Sequence, residues 1–320
     1  MANYEILFDL GSKYISSALK KDGFFDKIPS AVVLGGADGK QVVAVGVDAI
    51  NYKERGGSAK VSHPILEGAV IDVEGAKVLI STMLDRLVSY KANIFSRFTV
   101  KCALPCGMIS SDKKIIEGIF LSLGARSVTF VEAPIACSAK LFADFRTRQG
   151  IVVDIGQDTT DLAIVTTEGI AAGCSLFHAG KQLTEDIAER VKNKYMVQLA
   201  FDQAERLKTT CASLYPNDTS TCSTVGQNQH TGVAESVTIS SKELYDTVVE
   251  HVKKYVDVVR GLLASVPETL ASAVKRDGVM LCGGGAKLSG LDLYLQSQLS
   301  IPVRVADQPQ DVCINGLIAM

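Results

Sequence analysis

The chain has 320 residues, 47% of them apolar and 6% aromatic, and its 33 basic against 35 acidic side chains leave a formal charge of −2. That length and apolar content support a sizeable core and suggest two domains. The near-neutral balance with no basic block argues against direct nucleic-acid binding, and no apolar stretch reaches the roughly 18 residues needed to span a bilayer.

In chain order, Ile6-Leu7-Phe8 makes a short strand that ends at Asp9-Leu10-Gly11, followed by strands over Ile15 to Lys20, Ala31 to Leu34 and Val42 to Val47. A helix reads from Asp72 to Tyr90, with Val73, Ala76, Leu79, Ile80, Met83, Leu84 and Leu87 on one stripe. Thr99 to Leu104 is a strand stopped by Pro105, Asp112 to Leu123 a helix ended by Gly124, and Val128 to Val131 a strand. Ala133 to Phe145 is a helix with Pro134 in its first turn.

The second half starts again with strand, acidic turn and strand over Ile151 to Val165, then helices over Leu183 to Lys194 and Phe201 to Ser213. Asn217 to Glu235 is rich in Asn, Thr, Ser, Gln and Gly, so it is expected to be a solvated loop or a tip that meets a neighbour. After a strand at Val237 to Ile239, Ser240 opens a long helix with Glu243 completing a capping box. Leu244, Val248, Val252, Val256, Val259 and Leu263 form its stripe. The strand Val279 to Cys282 runs into Gly283-Gly284-Gly285, and a helix over Leu291 to Leu299 and a strand over Val303 to Val305 follow. The mixture is α/β.

"ILFDLGSKYISSAL" (6–19) and "IVVDIGQDTTDLAIV" (151–165) both read as strand, Asp-x-Gly, polar turn and strand. A single Asp-x-Gly is commonly no more than a hairpin turn; the pair, at about a 145-residue offset, suggests two similar domains facing each other. A carboxylate ending a buried strand needs a partner or water. Gly11 and Gly156 let the backbone approach a ligand, and Ser12, Lys13, Thr159 and Thr160 offer donors. Such turns form anion-binding concavities. Two of them would hold a polyphosphate from both sides, with Asp9 and Asp154 holding Mg²⁺ through its waters. The glycine run 283–285 is a third site of close approach.

The eight cysteines show no zinc spacing and read as reduced, buried, cytosolic thiols. His63, His178, His230 and His251 are scattered, so structural or surface roles are expected for them. The N-terminus, MANYEILFDLG, lacks the features of a signal peptide, and the protein is expected in the cytoplasm.

These motifs resemble the actin superfamily, and most closely its MreB-like bacterial branch, over nearly the whole chain. "ILFDLGS" is similar to the first phosphate loop and "VVDIGQDTTDLAIV" to the second. "PILEGAVIDVEGAKVLI" (64–80), "GARSVTFVEAPIACSA" (124–139), "AERLKTTCASLYP" (204–216) and "GVMLCGGGAKLSGLDLYL" (278–295) resemble further family segments in the same order. The resemblance implies an actin-like (ribonuclease H-like) two-domain ATPase fold with four subdomains and a central nucleotide cleft. Domain I would cover 1–145, with subdomain IB at about 31–65; domain II would cover 146–320, with subdomain IIB at about 179–238. It also implies ATP and Mg²⁺ as cofactors and the chain itself as partner, in a filament serving cell shape or intracellular organisation. Asp9, Gly11 and Ser12 would meet phosphate and metal water from one side, and Asp154, Gly156, Asp158, Thr159 and Thr160 from the other. Glu205 and Lys208 would contact ribose and adenine, and Gly283, Gly284 and Gly285 would pack on adenosine.

Three departures bear on this. Ala133 stands where the family carries a water-positioning glutamate, leaving Glu132. Gln157 and Asp158 replace glycines, and Lys13, replacing a small residue, either supplies phosphate charge or points to solvent. Membrane attachment has no N-terminal amphipathic helix here; Ile94 and Phe95 are the candidate apolar loop for a membrane or membrane-protein partner, with ordinary surface as the plainer account. Hydrolysis is therefore either slow, with Asp161, Glu132 and Thr159 as candidate catalytic residues, or nearly absent. Other readings are a ParM-like DNA-segregation filament, a chaperone-like or assembly-factor ATPase that does not polymerise, and a sugar kinase. The chain stops at Met320 without a substrate-binding domain and offers no sugar-side base, which weighs against the last two.

Overall fold

The computed structural model describes residues 4–36, 39, 41–52, 59–89 and 98–320. Its frame is a pair of five-stranded sheets that share one topology. In the first, Tyr4–Leu10, Tyr14–Leu19 and Phe25–Pro29 form an antiparallel meander. Phe98–Leu104 pairs in parallel with the first of these strands, and Ala125–Glu132 with Phe98–Leu104. In the second, Gly150–Ile155, Thr160–Thr166 and Gly169–Leu176 make the meander, and Val279–Cys282 and Val303–Val305 are the parallel additions. The repeat expected from the acidic turns therefore extends to the whole sheet.

Strand alternation decides which core each sheet face enters. Ile6, Phe8 and Leu10 pack with helix Val73–Ser89 and with Ile116, Ile119 and Phe120 of helix Ser110–Ser122. Ile151, Val153 and Ile155 pack with Leu244, Val248, Val252, Val256 and Val259 of helix Ser241–Ser265. Leu7 and Val152, on the opposite faces, join a third core between the sheets, filled by helices Ala133–Phe145 and Val312–Ala319. Those two helices touch backbone to backbone: a Cβ at Gly316 would lie 1.7 Å from the Ala136 carbonyl oxygen. Each fully buried Leu, Ile or Phe in these layers contributes about 1.5–3 kcal/mol relative to exposure.

Ser240 caps the long helix with the expected box, its hydroxyl and amide engaged with Glu243. Asn217 to Glu235 departs from expectation. Thr221–Asn228 and Ala234–Ser240 form an antiparallel hairpin rather than an irregular loop. The composition lacks apolar residues for a core of its own, but the hairpin needs few. Thr224, Val237 and Ile239 are buried, and the Ser223 and Thr238 hydroxyls pair across the strands at 2.9 Å. Helix Glu268–Asp277 and helix Val312–Ala319 are additions to the periodic segments. Ile94, Phe95 and the first three residues lie outside the described residues.

Candidate functional site

Both acidic turns open onto one cleft of about 1090 Å³. Asp9 sits opposite Ser16 and beside Ala103; Asp154 takes the equivalent place in the other sheet, opposite Asp161 and beside Cys282. Two residues on from Leu7 and Val152, the carboxylates share their inter-sheet faces. Sheet duplication thus brings together two acids that are far apart in the chain.

Their electrostatics are those of crowded, poorly solvated anions. Burial lifts Asp9 to about 6, with Lys27 and the Cys313 thiol opposing and Asp311 adding repulsion. Burial lifts Asp154 to about 7, and the charges of Asp161 and Asp9 add to it. Asp161 is raised to about 6 by burial, against the hydrogen bond donated by the Cys106 amide at 2.7 Å. Three buried carboxylates on one cleft resist ionisation through burial and mutual repulsion, and a cation among them would relieve both.

The turns need glycine for their own closure. A Cβ at Gly11 would lie 2.7 Å from the Tyr14 carbonyl oxygen, and one at Gly156 would lie 2.9 Å from that of Thr159, which accepts the Gly156 amide. The glycine run divides in the same way. Gly283 has φ +78°, and a Cβ there would meet Ile155 O at 2.4 Å and Asp154 Oδ1 at 2.5 Å. Gly285 abuts the Ile155 side chain, whereas Gly284 has nothing within 4 Å and lines the cleft.

Ser12, Lys13, Asp158, Thr159, Asp161, Glu205 and Lys208 also line the cleft. Thr160 does not. Alternation turns it to the other face, where it is fully buried and donates to the His178 carbonyl at 2.8 Å, so its hydroxyl is not the ligand donor expected. Lys13 reaches across to Glu205 at 2.7 Å, while Lys208 holds the other oxygen of Glu205 at 2.6 Å. Burial pushes Glu205 up, but Lys208, Lys13 and the Thr184 hydroxyl outweigh it and hold the acid at about 2. Lys13 therefore does not point freely to solvent: from the first acidic turn its side chain straps the cleft to Glu205.

Asp158 forms a second strap. Its Oδ2 accepts the Glu67 amide at 3.2 Å, from the hairpin turn between Ile65–Leu66 and Ala69–Val70, while its Oδ1 is buried without a protein partner. Glu132 lies off the cleft wall, with Oε1 accepting the Gly107 amide at 2.9 Å. Ala133, where a water-positioning acid was expected, is itself on the wall.

Two groupings escape any reading of spacing. His178 and His251, 73 positions apart, stack at 3.8 Å between ring centres, with Tyr255 edge-on to both. Cys137, Asp154 and Cys282 place three ligand-type atoms within 4.8 Å of one another, the one such group among the described residues. Only the fold joins these residues, so no local motif could have announced them. All eight cysteines are free thiols; five are buried, and Cys106, Cys174 and Cys222 are partly exposed.

With this geometry in place, comparison with known proteins is specific. The MreB/Mbl protein family model matches residues 3–320. The cell shape-determining protein Mbl of Bacillus subtilis is 28% identical over 315 residues, covering 98% of this chain and 94% of that one. The cell shape-determining protein MreB of Escherichia coli is 29% identical over 324 residues, covering 99% and 92%. Among solved structures, MreB5 of Spiroplasma citri bound to ADP superposes with a TM-score of 0.89 at 24% identity, covering 99% and 95%. A MamK double helical filament gives 0.82 at 17%, covering 99% and 98%. The paired sheets are thus the actin-like fold that the motifs imply, and the chain belongs to the MreB/Mbl family of bacterial actin-like cytoskeletal proteins.

Proposed function

We propose that this chain binds Mg-ATP between its two sheets and assembles with copies of itself into filaments, with the bound nucleotide controlling assembly. The observation that carries the reading is the pairing of Asp9 and Asp154 at equivalent register positions on one cleft. The family's cell shape-determining relatives and the ADP-bound and filament structures of its fold neighbours support it. The residues fit the ligand. Three buried carboxylates of raised proton affinity would be neutralised by a cation, a buried oxygen of Asp158 lacks a protein partner, and the open backbone at Gly284 leaves room beside the second turn.

Asp9 and Asp154 would hold Mg²⁺ through its waters, and the ion would supply charge neutralisation along the phosphates. Ser12 and Thr159 offer donors on the two sides, and Glu205 and Lys208 form the nucleoside wall. Turnover is slow in this account. Ala133 contributes no polar group, Glu132 is already engaged by Gly107, and Asp161 is left to orient the attacking water. Its position is fixed by the Cys106 amide. Subunits joined by contacts that do not close on themselves extend into a filament, and a ligand that favours the closed cleft shifts the chain toward the assembling form. No helix among the described residues is long and apolar enough to cross a membrane. We place the protein in the cytoplasm, reaching a membrane only through a partner.

Ultracentrifugation with and without Mg-ATP, followed by electron microscopy of the pellet, tests the proposal. Nucleotide-dependent filaments are expected, and a chain that stays in the supernatant under all conditions would refute assembly. Phosphate release from Asp161→Ala, measured beside the parent chain, tests the water-orienting role: unchanged turnover removes Asp161 from it.

A further inference from the structure

We propose that Cys137, Cys282 and Asp154 bind a thiophilic divalent cation of the zinc class deep in the cleft, to the exclusion of the magnesium nucleotide. The three side chains come from a helix between the sheets and from two adjacent strands of the second sheet. Their ligand atoms all lie within 4.8 Å of one another. Cys137 Sγ stands 3.6 Å from Asp154 Oδ2. A tetrahedral ion with zinc's bond lengths to sulfur and oxygen has an S···O edge of about 3.6 Å. That edge of the triangle therefore already has the length such a site needs, and the other two close by a small movement of the side chains, since no pair is more than 4.8 Å apart.

Several observations favour a ligand role over simple packing. Cys137 and Cys282 are fully buried, but the Cys137 thiol donates to Asp154 Oδ2 and all three ligand atoms crowd together rather than facing only apolar carbon. Cys313 belongs to the same inter-sheet core and lines the cleft. Asp154 Oδ1 lies on the Gly283 side, where a Cβ would come within 2.5 Å of it, while Oδ2 faces the Cys137 thiol. Asp154 itself borders the cleft, which gives an ion a path to sulfurs that are otherwise enclosed.

Thiolates select zinc-like ions over Mg²⁺, which prefers oxygen and keeps its waters. Binding converts two thiols to thiolates and takes Asp154 as the carboxylate, so it releases two protons, or three where Asp154 starts protonated, and strengthens as pH rises. An ion held this way also takes Asp154, one of the two carboxylates that the magnesium nucleotide would need. That antagonism rests on the nucleotide site proposed above; the thiolate site does not.

The test uses Cd²⁺ as the probe on the nucleotide-free full chain, with Cys106, Cys174 and Cys222 changed to Ser to silence the more accessible thiols. A thiolate-to-cadmium charge-transfer band saturating at one ion per chain is expected. Cys137→Ala and Cys282→Ala should each weaken binding by more than about tenfold, since even groups that merely support a ligand cost that much. No band, or a band unchanged in both variants, overturns the proposal. X-ray absorption at the cadmium edge needs no further substitution: two or three sulfur neighbours support the site, and an oxygen-only shell overturns it. Zn²⁺ should then weaken Mg-ATP binding in the parent chain and not in Cys137→Ala. Equal inhibition in both overturns the antagonism. A chain that takes Cd²⁺ through sulfur but never binds Mg-ATP refutes the nucleotide reading and leaves the thiolate site standing.

Discussion

The three adjacent glycines 283–285 should behave as three different residues when each is changed to alanine. At Gly283 the backbone is left-handed, at φ +78°, and a methyl would meet the Ile155 carbonyl oxygen at 2.4 Å and its carbon at 2.6 Å. The conformation costs an L-residue roughly 1–2 kcal/mol. Overpacking against rigid backbone adds roughly 1–3 kcal/mol, for a total of about 2–5 kcal/mol. At Gly285 the backbone is ordinary and the clash is with the Ile155 side chain at 2.2 Å, so only the packing cost of about 1–3 kcal/mol applies. At Gly284 nothing lies within 4 Å. Alanine there should be neutral, or stabilising by about 0.4–1 kcal/mol through a less flexible unfolded chain. Urea unfolding of the nucleotide-free variants measures all three. The order 283 above 285 above 284 is expected, with denaturant slopes unchanged. A Gly284→Ala chain as unstable as Gly283→Ala would refute the reasoning, as would a Gly283→Ala chain within 1 kcal/mol of the parent. Because the Gly284 methyl would project into the cleft, the same variant should lose affinity for Mg-ATP while keeping its stability.

Gly316→Ala sets helix propensity against packing. Propensity alone would stabilise the chain by about 1 kcal/mol, but the methyl would lie 1.7 Å from the Ala136 carbonyl oxygen, so thermal unfolding should show a lower midpoint; a raised one would contradict the helix crossing described. Stability of the nucleotide-free chain should also depend on pH in a stated direction. Asp9, Asp154 and Asp161 are raised to about 6, 7 and 6. The folded chain therefore binds more protons than the unfolded one from about pH 4 upward, and their contribution is lost as pH rises through 6 to 7. Denaturation midpoints measured across that window check the sign; a contribution rising with pH would contradict it. Asp158→Ala removes the acceptor of the Glu67 amide, so hydrogen exchange in the 65–70 hairpin should quicken at a stability cost of about 1–2 kcal/mol. Unchanged exchange would show that the strap does not hold.

Much of the site was legible because local rules coincide there. An apolar run broken by Asp-x-Gly and followed by a second run is visible in both halves, and it placed Asp9 and Asp154 on one cleft. The capping box at Ser240 is equally local. Thr160 misled because composition names donors but only alternation says which way they face. The 217–235 hairpin misled because burying few side chains suffices when the ladder satisfies the backbone. Helix Val312–Ala319 carries no polar face for periodicity to detect, since it lies between two sheets and is apolar nearly all round. The Lys13–Glu205 strap, the stacked histidines and the Cys137–Asp154–Cys282 group depend on residues far apart in sequence, and no spacing rule reaches them.

Nucleotide-controlled assembly requires a cation and a polyphosphate held between the turns of Asp9 and Asp154. Isothermal titration calorimetry of ATP into the parent chain and into Asp154→Ala, each with and without Mg²⁺, tests this most directly. One saturable site that needs Mg²⁺, weakened roughly tenfold or more by the loss of a charged hydrogen-bonding group in Asp154→Ala, is the predicted result. No heat of binding in the parent chain, or equal affinity in the two chains, would contradict it.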